Sequence, residues 1–133
     1  MWETNWIAII LAAAASFVVG GLWYGPLFGK AWRREQGITE GEVKSANMAR
    51  IFGLNYLLTL IAAFILGHVL VTYGSPAVWT STMIGGGIGL AFVATSVGVI
   101  CLYTQKSLKL FLIDGAYWTV SYAAMGAVFG LMP

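Results

Sequence analysis

Asp114 is the residue whose type and position most directly suggest chemistry in this sequence. It is the only aspartate of the chain and the only charged residue between positions 110 and 131. An ionisable side chain is costly in a bilayer, and such residues often bind ions or relay protons. Asp114 could therefore accept a proton or a cation. The alternative is a structural aspartate, held by Asn or Trp donors or contacted by a lysine near the membrane interface.

The residues that follow Asp114 form a polar and aromatic face on the same predicted helix. Tyr117, Trp118 and Tyr122 stand three, four and eight residues after it, which is the spacing of neighbours along one side of a helix. Asp114 itself lies five residues beyond Lys109, at a depth of about 7.5 Å. This depth predicts a carboxylate near one membrane face, beside aromatic rings.

Two other parts of the chain are predicted to reach the same depth. Asn55 lies five residues beyond Arg50, and Trp23 and Tyr24 end the first apolar run. We expect these residues and Asp114 to form one hydrogen-bonded layer that binds a small solute or an ion, although helix packing alone could also explain such contacts.

The remaining reactive side chains are few. His68 is the only histidine and Cys101 the only cysteine, so no metal site and no internal disulfide are predicted. His68 is a possible protonation site near the other end of its helix, or an interfacial histidine bonded to water or Thr72. Cys101 is interpreted as a small packing residue. Nucleophile–base sets, paired carboxylates and phosphate-binding loops are not found, so we expect no enzyme and no cofactor.

The composition indicates the environment that must hold these residues. The chain has 133 residues, of which 59% are hydrophobic and 9% charged. Soluble domains carry about 25% charged residues. We therefore predict an all-α integral membrane protein that forms a single domain in contact with the lipid bilayer.

Four transmembrane helices are predicted from the uncharged runs. No residue between Glu3 and Lys30 is charged, and positions 51–105 carry no Lys, Arg, Asp or Glu. The turn sequence TYGSPA divides the second run, whose later half is long enough to tilt or to kink around Gly85–Gly87. The predicted segments are helix 1 at about 5–25, an interfacial segment at 26–39, helix 2 at about 40–72, helix 3 at about 77–104 and helix 4 at about 109–132.

The segment after the first helix is predicted to leave the membrane and run along its surface. Gly25-Pro26 should end helix 1. Thr39 and Glu42 fit a capping box at the start of helix 2. Aromatic and basic side chains between them are predicted to anchor this interfacial or cytoplasmic helical segment in the headgroups: Phe28, Trp32, Lys30, Arg33 and Arg34.

The basic residues predict the topology. All seven lie in two regions, at Lys30, Arg33, Arg34, Lys44 and Arg50, and at Lys106 and Lys109. The positive-inside rule makes 26–50 and 104–109 cytoplasmic and places both termini outside. The basic residues are too sparse to indicate nucleic-acid binding.

Small residues recur at four-residue intervals along helices 1, 3 and 4, for example at Ser81, Gly85 and Gly89. Such stripes predict close helix crossings. They favour a parallel homo-oligomer, while packing inside a single bundle is the alternative.

Two longer motifs resemble a known family. GGLWYGPLFGKAW at residues 20–32 and LKLFLIDGAYW at 108–118 are similar to a small bacterial membrane family catalogued as domain of unknown function 1761. The resemblance covers nearly the whole chain and implies a four-helix protein of the bacterial inner membrane. It implies no activity and no catalytic residues.

Three functional hypotheses follow from the sequence. The first is an oligomeric transporter or channel for a small solute or ion that uses Asp114. The second is a structural or accessory subunit that packs against a larger membrane complex. The third is a sensor that uses His68 or the interfacial segment.

Overall fold

The computed structural model describes residues 5–133, except for the side chains of residues 44 and 45, so that Lys44 lies outside the described side chains. Within this range the chain is helical and contains no strand. The helices are α1 (Trp6–Leu27), α2 (Gly29–Gln36), α3 (Glu40–Ser45), α4 (Met48–Thr72), α5 (Val78–Tyr103) and α6 (Leu108–Leu131).

Three helices of the described chain are long and apolar enough to cross a membrane. They are α1, α4 and α5, with 22, 25 and 26 residues and mean hydropathies of 2.1, 2.1 and 2.0, and about 20 residues suffice for a span. α6 has 24 residues but is less apolar, because it carries Lys109, Asp114 and several Tyr, Trp, Ser and Thr side chains. The all-helical prediction is thus confirmed, and three of the four predicted spans qualify as candidate spans by length and composition.

α1 begins as predicted but ends differently. Asn5 caps it by accepting a hydrogen bond from the amide of Ala8, and the Asn5 amide group donates to the carbonyl of Met132 at 3.0 Å. The prediction that Gly25-Pro26 stops the helix was wrong. The helix continues through Pro26 as a π-helical turn to Leu27, in which the amide of Phe28 donates to the Trp23 carbonyl five residues back, at 2.8 Å. This wider hydrogen-bond spacing lets the chain pass a proline that has no amide hydrogen to donate.

α2 follows α1 almost without interruption. Gly29 lies so close to the end of α1 that a Cβ there would stand 2.5 Å from the Tyr24 carbonyl oxygen, which explains the need for glycine. At its other end Gly37 adopts a left-handed conformation with φ 73°, which ends a helix at no steric cost in glycine.

The predicted capping box is confirmed, but the single helix from 40 to 72 was wrong. Thr39 accepts a hydrogen bond from the amide of Glu42, whose carboxylate accepts from the amide of Thr39. α3 then stops, because Ala46 is extended and Asn47 caps a new helix by accepting from the amide of Arg50. Asparagine favours helix starts over helix interiors, since its side chain replaces a backbone acceptor.

α5 has nearly the predicted bounds and contains an irregular segment. The turn before it is confirmed, with Gly74 and Ser75 at φ 83° and 50°. The irregularity is a π-helical stretch at Gly89–Ala94, which begins two residues after the glycine triplet where a kink was predicted.

The last helix, α6, is the centre of the bundle. It packs along α5 for much of its length and along α1 on another side, whereas α4 lies mainly against α1. Between α5 and α6 the backbones touch: a Cβ at Gly85 would collide with the Tyr122 carbonyl, and one at Gly126 with the Ser81 carbonyl. The close crossing predicted from the small residues is therefore confirmed, with both partners in one chain.

The small face of α1 is also used inside the bundle. Ala8, Ala12 and Ser16 are buried, and the hydroxyls of Ser16 and Ser121 form a hydrogen bond between α1 and α6. A Cβ at Gly21, by contrast, would have no neighbour within 4 Å. Since most of the stripes pack within the chain, they no longer argue for a homo-oligomer, which stays a prediction.

Candidate functional site

Asp114 lies where the end of α1 meets the beginning of α6. Its carboxylate is half-buried, and its Oδ1 accepts a hydrogen bond of 2.6 Å from the hydroxyl of Tyr24. The indole of Trp32, on α2, lies close enough to interact with Asp114, and its ring packs against the ring of Tyr24. Three helices thus converge on one carboxylate.

The π-helical turn of α1 fixes this geometry at a second point. The indole Nε1 of Trp23 donates to the carbonyl of Ile113 at 2.9 Å. Trp23 and Tyr24 therefore bind two successive residues of α6, one through its backbone and one through its side chain. The prediction that this aromatic pair lies beside Asp114 agrees with these contacts.

Aromatic rings extend from this point along α6. We call them the aromatic row: Trp32, Tyr24, Tyr117, Trp118 and Tyr122. Successive ring centroids in the row are 5.7, 5.0, 4.9 and 6.2 Å apart. The first three pairs are edge-to-face, an arrangement that aromatic pairs favour. The row therefore lines one side of α6 from the carboxylate toward the middle of the helix.

The backbone of α5 packs closely against the part of α6 that carries the aromatic row. A Cβ at Gly89, in its π-helical stretch, would lie 2.6 Å from the carbonyl oxygen of Trp118. Ala94, at the end of the same stretch, is buried beside Gly115. Both π-helical segments of the described chain thus contact the part of α6 between Asp114 and Tyr122, and such segments occur frequently at functional sites.

The charge of Asp114 has no basic partner in the described part of the chain. Its described hydrogen bond comes from a neutral group, the Tyr24 hydroxyl. Lys106 and Lys109, the nearest lysines in sequence, are exposed. Neutral donors can stabilise a carboxylate, but they leave its net charge in place.

α2 lies against the site more closely than an anchor alone requires. Phe28 and Trp32 were predicted to lie in the headgroups. The Phe28 ring lies 4.9 Å from the Trp23 ring, and Trp32 is half-buried in the aromatic row. Lys30 and Arg34 are exposed and Arg33 is half-buried. Glu35 accepts a hydrogen bond of 2.6 Å from Ser107, the residue that caps α6.

Sequence reasoning missed the inward roles of Trp32 and Glu35. The available signal for Trp32 was its eight-residue spacing from Tyr24, which would place both on one side of a continuous helix. The predicted break at Gly25-Pro26 concealed that relation.

Asn55 was wrongly included in the layer around Asp114. It is exposed, and its Oδ1 accepts a hydrogen bond of 3.1 Å from the hydroxyl of Thr59 on its own helix. The depth of Asn55 along α4 was reasonable, but α4 packs mainly on α1, so this side chain does not face α6.

The other polar candidates also lie outside the site. His68 is exposed near the far end of α4, where its carbonyl accepts a hydrogen bond from Thr72 at 2.9 Å. Cys101 is buried, which agrees with a packing role. Among the residues that the structure describes, no group of His, Cys, Asp and Glu could hold a metal ion.

The comparison with known proteins identifies a family. The family model described as protein of unknown function (DUF1761) matches residues 7–130. The chain belongs to this family. The matched region contains nearly all of α1, all of α2 to α5, nearly all of α6, and every residue of the aromatic row. No curated protein and no solved structure matches the chain, so the family places the chain in a group of related sequences without assigning an activity.

Proposed function

We propose that this protein is an integral membrane protein that binds a small cation, or a solute that carries one, at Asp114 and moves it across the bilayer. The observation that carries the proposal is a half-buried carboxylate that accepts a hydrogen bond from a neutral donor, with no basic partner among the described side chains. The proposal includes no enzymatic reaction and no cofactor.

The electrostatics of a membrane favour a counter-charge at this position. A charged side chain within a bilayer costs several kcal/mol unless it is paired, hydrated or neutralised. Tyr24 lowers that cost through its hydrogen bond to the carboxylate. A proton or a cation would remove the remaining net charge. The ring of Trp118, one helical turn further on and only partly buried, suits a cation, because a ring face attracts positive charge by about 0.5–2 kcal/mol.

The placement of α6 in the membrane forms part of this proposal. α6 is less apolar than α1, α4 and α5, yet its polar side chains are largely covered by α1 and α5. Such a helix could be a fourth span, because it presents little of its polar surface to lipid. We further propose a bacterial inner-membrane location, with both termini outside, in accordance with the positions of the lysines and arginines.

The test is a flux measurement in proteoliposomes. Wild-type protein should move protons or small organic cations across the membrane, and Asp114→Asn should reduce this flux at least tenfold. Glu40→Gln is the matched control, since it removes one exposed carboxylate outside the aromatic row, and it should retain most of the flux. If neither protons nor any of a panel of organic and inorganic cations move faster than in empty vesicles, the transport proposal is wrong.

A structural role for Asp114 is the second candidate. The observation in its favour is that the Tyr24–Asp114 and Trp23–Ile113 hydrogen bonds join α1 to α6, as a packing aspartate would. In an accessory subunit, the flux through the wild type and through Asp114→Asn would both equal that of empty vesicles. The Asp114→Asn variant would also release a co-purifying membrane partner. A parallel homo-oligomer is compatible with either role.

A further inference from the structure

A lateral groove opens between α4 and α5. It has a volume of about 220 Å³, and all but one of its lining residues are apolar: Ala62, Ile65, Leu66 and Val69 of α4, and Ile88 and Phe92 of α5, with Tyr122 of α6 as the exception. The groove exists because α4 and α5, although consecutive in sequence, make few contacts with each other. Its volume is below the ~300–1,000 Å³ of drug-sized ligand sites, so it suits one narrow apolar group.

Tyr122 connects this groove to Asp114. Its ring lines the groove and is also the last member of the aromatic row, 6.2 Å from the ring of Trp118. Tyr122 stands eight residues after Asp114, which corresponds to about 12 Å along the helix. An apolar groove and a carboxylate are therefore joined by a continuous series of rings.

We propose that the groove and the aromatic row form one binding site for an amphipathic organic cation, with its cationic head at Asp114 and its apolar tail between α4 and α5. This inference rests on the proposed function and names the substrate class. Charge complementarity selects the head, since the only carboxylate at this level lacks a described basic partner. The dimensions select the tail, since the groove accommodates a single chain and lies about 12 Å from the charge along α6.

The position of the groove also suggests how such a molecule enters. The groove faces the side of the bundle where Ile65 and Phe92 are 56% and 70% exposed. A molecule already dissolved in the bilayer could therefore insert its tail sideways. Its head would then pass the ring of Trp118, which is only partly buried and whose face attracts a cation.

The experiment compares two cations that differ only in the tail. Protein in vesicles of phosphatidylethanolamine and phosphatidylglycerol is titrated with radiolabelled tetramethylammonium or dodecyltrimethylammonium, and binding to protein-free vesicles is subtracted. Ala62→Trp and Val69→Phe fill the groove from two positions. Leu57→Trp is the matched control, because Leu57 is 53% exposed on the same helix and does not line the groove.

The inference predicts that the groove variants affect the binding of the two cations differently. Either groove variant should weaken the binding of dodecyltrimethylammonium at least tenfold and leave the affinity for tetramethylammonium within twofold of wild type. Unchanged binding of tetramethylammonium would also show that the Asp114 site has folded. Leu57→Trp should change the affinity for neither cation, and Asp114→Asn should weaken the binding of both at least tenfold.

Two results would overturn it, and they are distinguishable. If the groove variants bind dodecyltrimethylammonium as Leu57→Trp does, the groove holds no tail and is filled by membrane lipid, while the cation site at Asp114 stands. If Asp114→Asn binds both cations as tightly as wild type, the proposed function itself fails.

Discussion

The crossing of α5 and α6 can be tested with two glycines of one helix. Gly85 and Gly87 both lie in the α-helical part of α5. A Cβ at Gly85 would collide with the carbonyl oxygen of Tyr122 on α6, whereas a Cβ at Gly87 would have no neighbour within 4 Å. Alanine at Gly85 should therefore force the helices apart, and alanine at Gly87 should be accommodated.

The magnitude follows from two contributions. Gly→Ala inside a helix gains up to about 1 kcal/mol from backbone propensity, and this gain is common to both variants. Overpacking a close contact costs about 1–3 kcal/mol, and only Gly85→Ala incurs it. The free energy of unfolding of Gly85→Ala should thus be about 1–3 kcal/mol below that of Gly87→Ala.

The assay is unfolding by SDS in mixed micelles, followed by tryptophan fluorescence. Trp118 lies next to the crossing, where the Trp118 carbonyl faces Gly89, so it should contribute to the change in the combined emission of the six tryptophans when the helices separate. Equal unfolding free energies for the two alanine variants would show that α5 and α6 do not approach each other as described.

Three further predictions concern individual hydrogen bonds. Tyr24→Phe keeps the ring but removes the donor to Asp114, and should lower the free energy of unfolding by about 1 kcal/mol in the same assay; no change would mean that this bond is not formed in the membrane. A double-mutant cycle of Ser16→Ala and Ser121→Ala should give a coupling energy of about 0.6 kcal/mol, typical of membrane hydrogen bonds, and zero coupling would contradict the contact between α1 and α6. Thr39→Ala should weaken the capping box by about 1 kcal/mol and speed amide hydrogen exchange at 40–43, and unchanged exchange would refute the cap.

The relative depth of residues on different helices could be predicted from the sequence. Counting from the charged boundaries placed Trp23, Tyr24 and Asp114 at one depth, and the hydrogen bond between Tyr24 and Asp114 agrees with it. Depth counting works because the rise per residue of a helix is nearly constant. It requires only the positions at which each helix enters the membrane.

The rotation of a helix about its own axis could not be predicted in the same way. α4 is apolar on all sides, so its sequence does not indicate which face packs against the bundle. Asn55 was therefore placed on the wrong side of its helix. Asp114 was easier to orient, because its aromatic neighbours define a face.

The irregular helical segments could not be predicted from the sequence either. Gly25-Pro26 is typical of a helix end, and only the hydrogen bond from Phe28 to Trp23 shows the π-helical turn that replaces it. Trp32 belongs to the site because that turn carries the chain directly into α2. Small-residue spacing predicted close packing in general, but the identity of each partner depended on tertiary structure.

The most direct test of the central claim observes the Asp114 carboxyl group itself. Asp114 is the only aspartate of the chain, so protein grown with 4-¹³C-aspartate reports a single site by infrared or solid-state NMR spectroscopy. Adding tetramethylammonium to the reconstituted wild-type protein should shift the labelled carboxyl signal in a saturable manner. A signal that stays unchanged at saturating cation concentration would contradict the claim that Asp114 is the counter-charge for a transported cation.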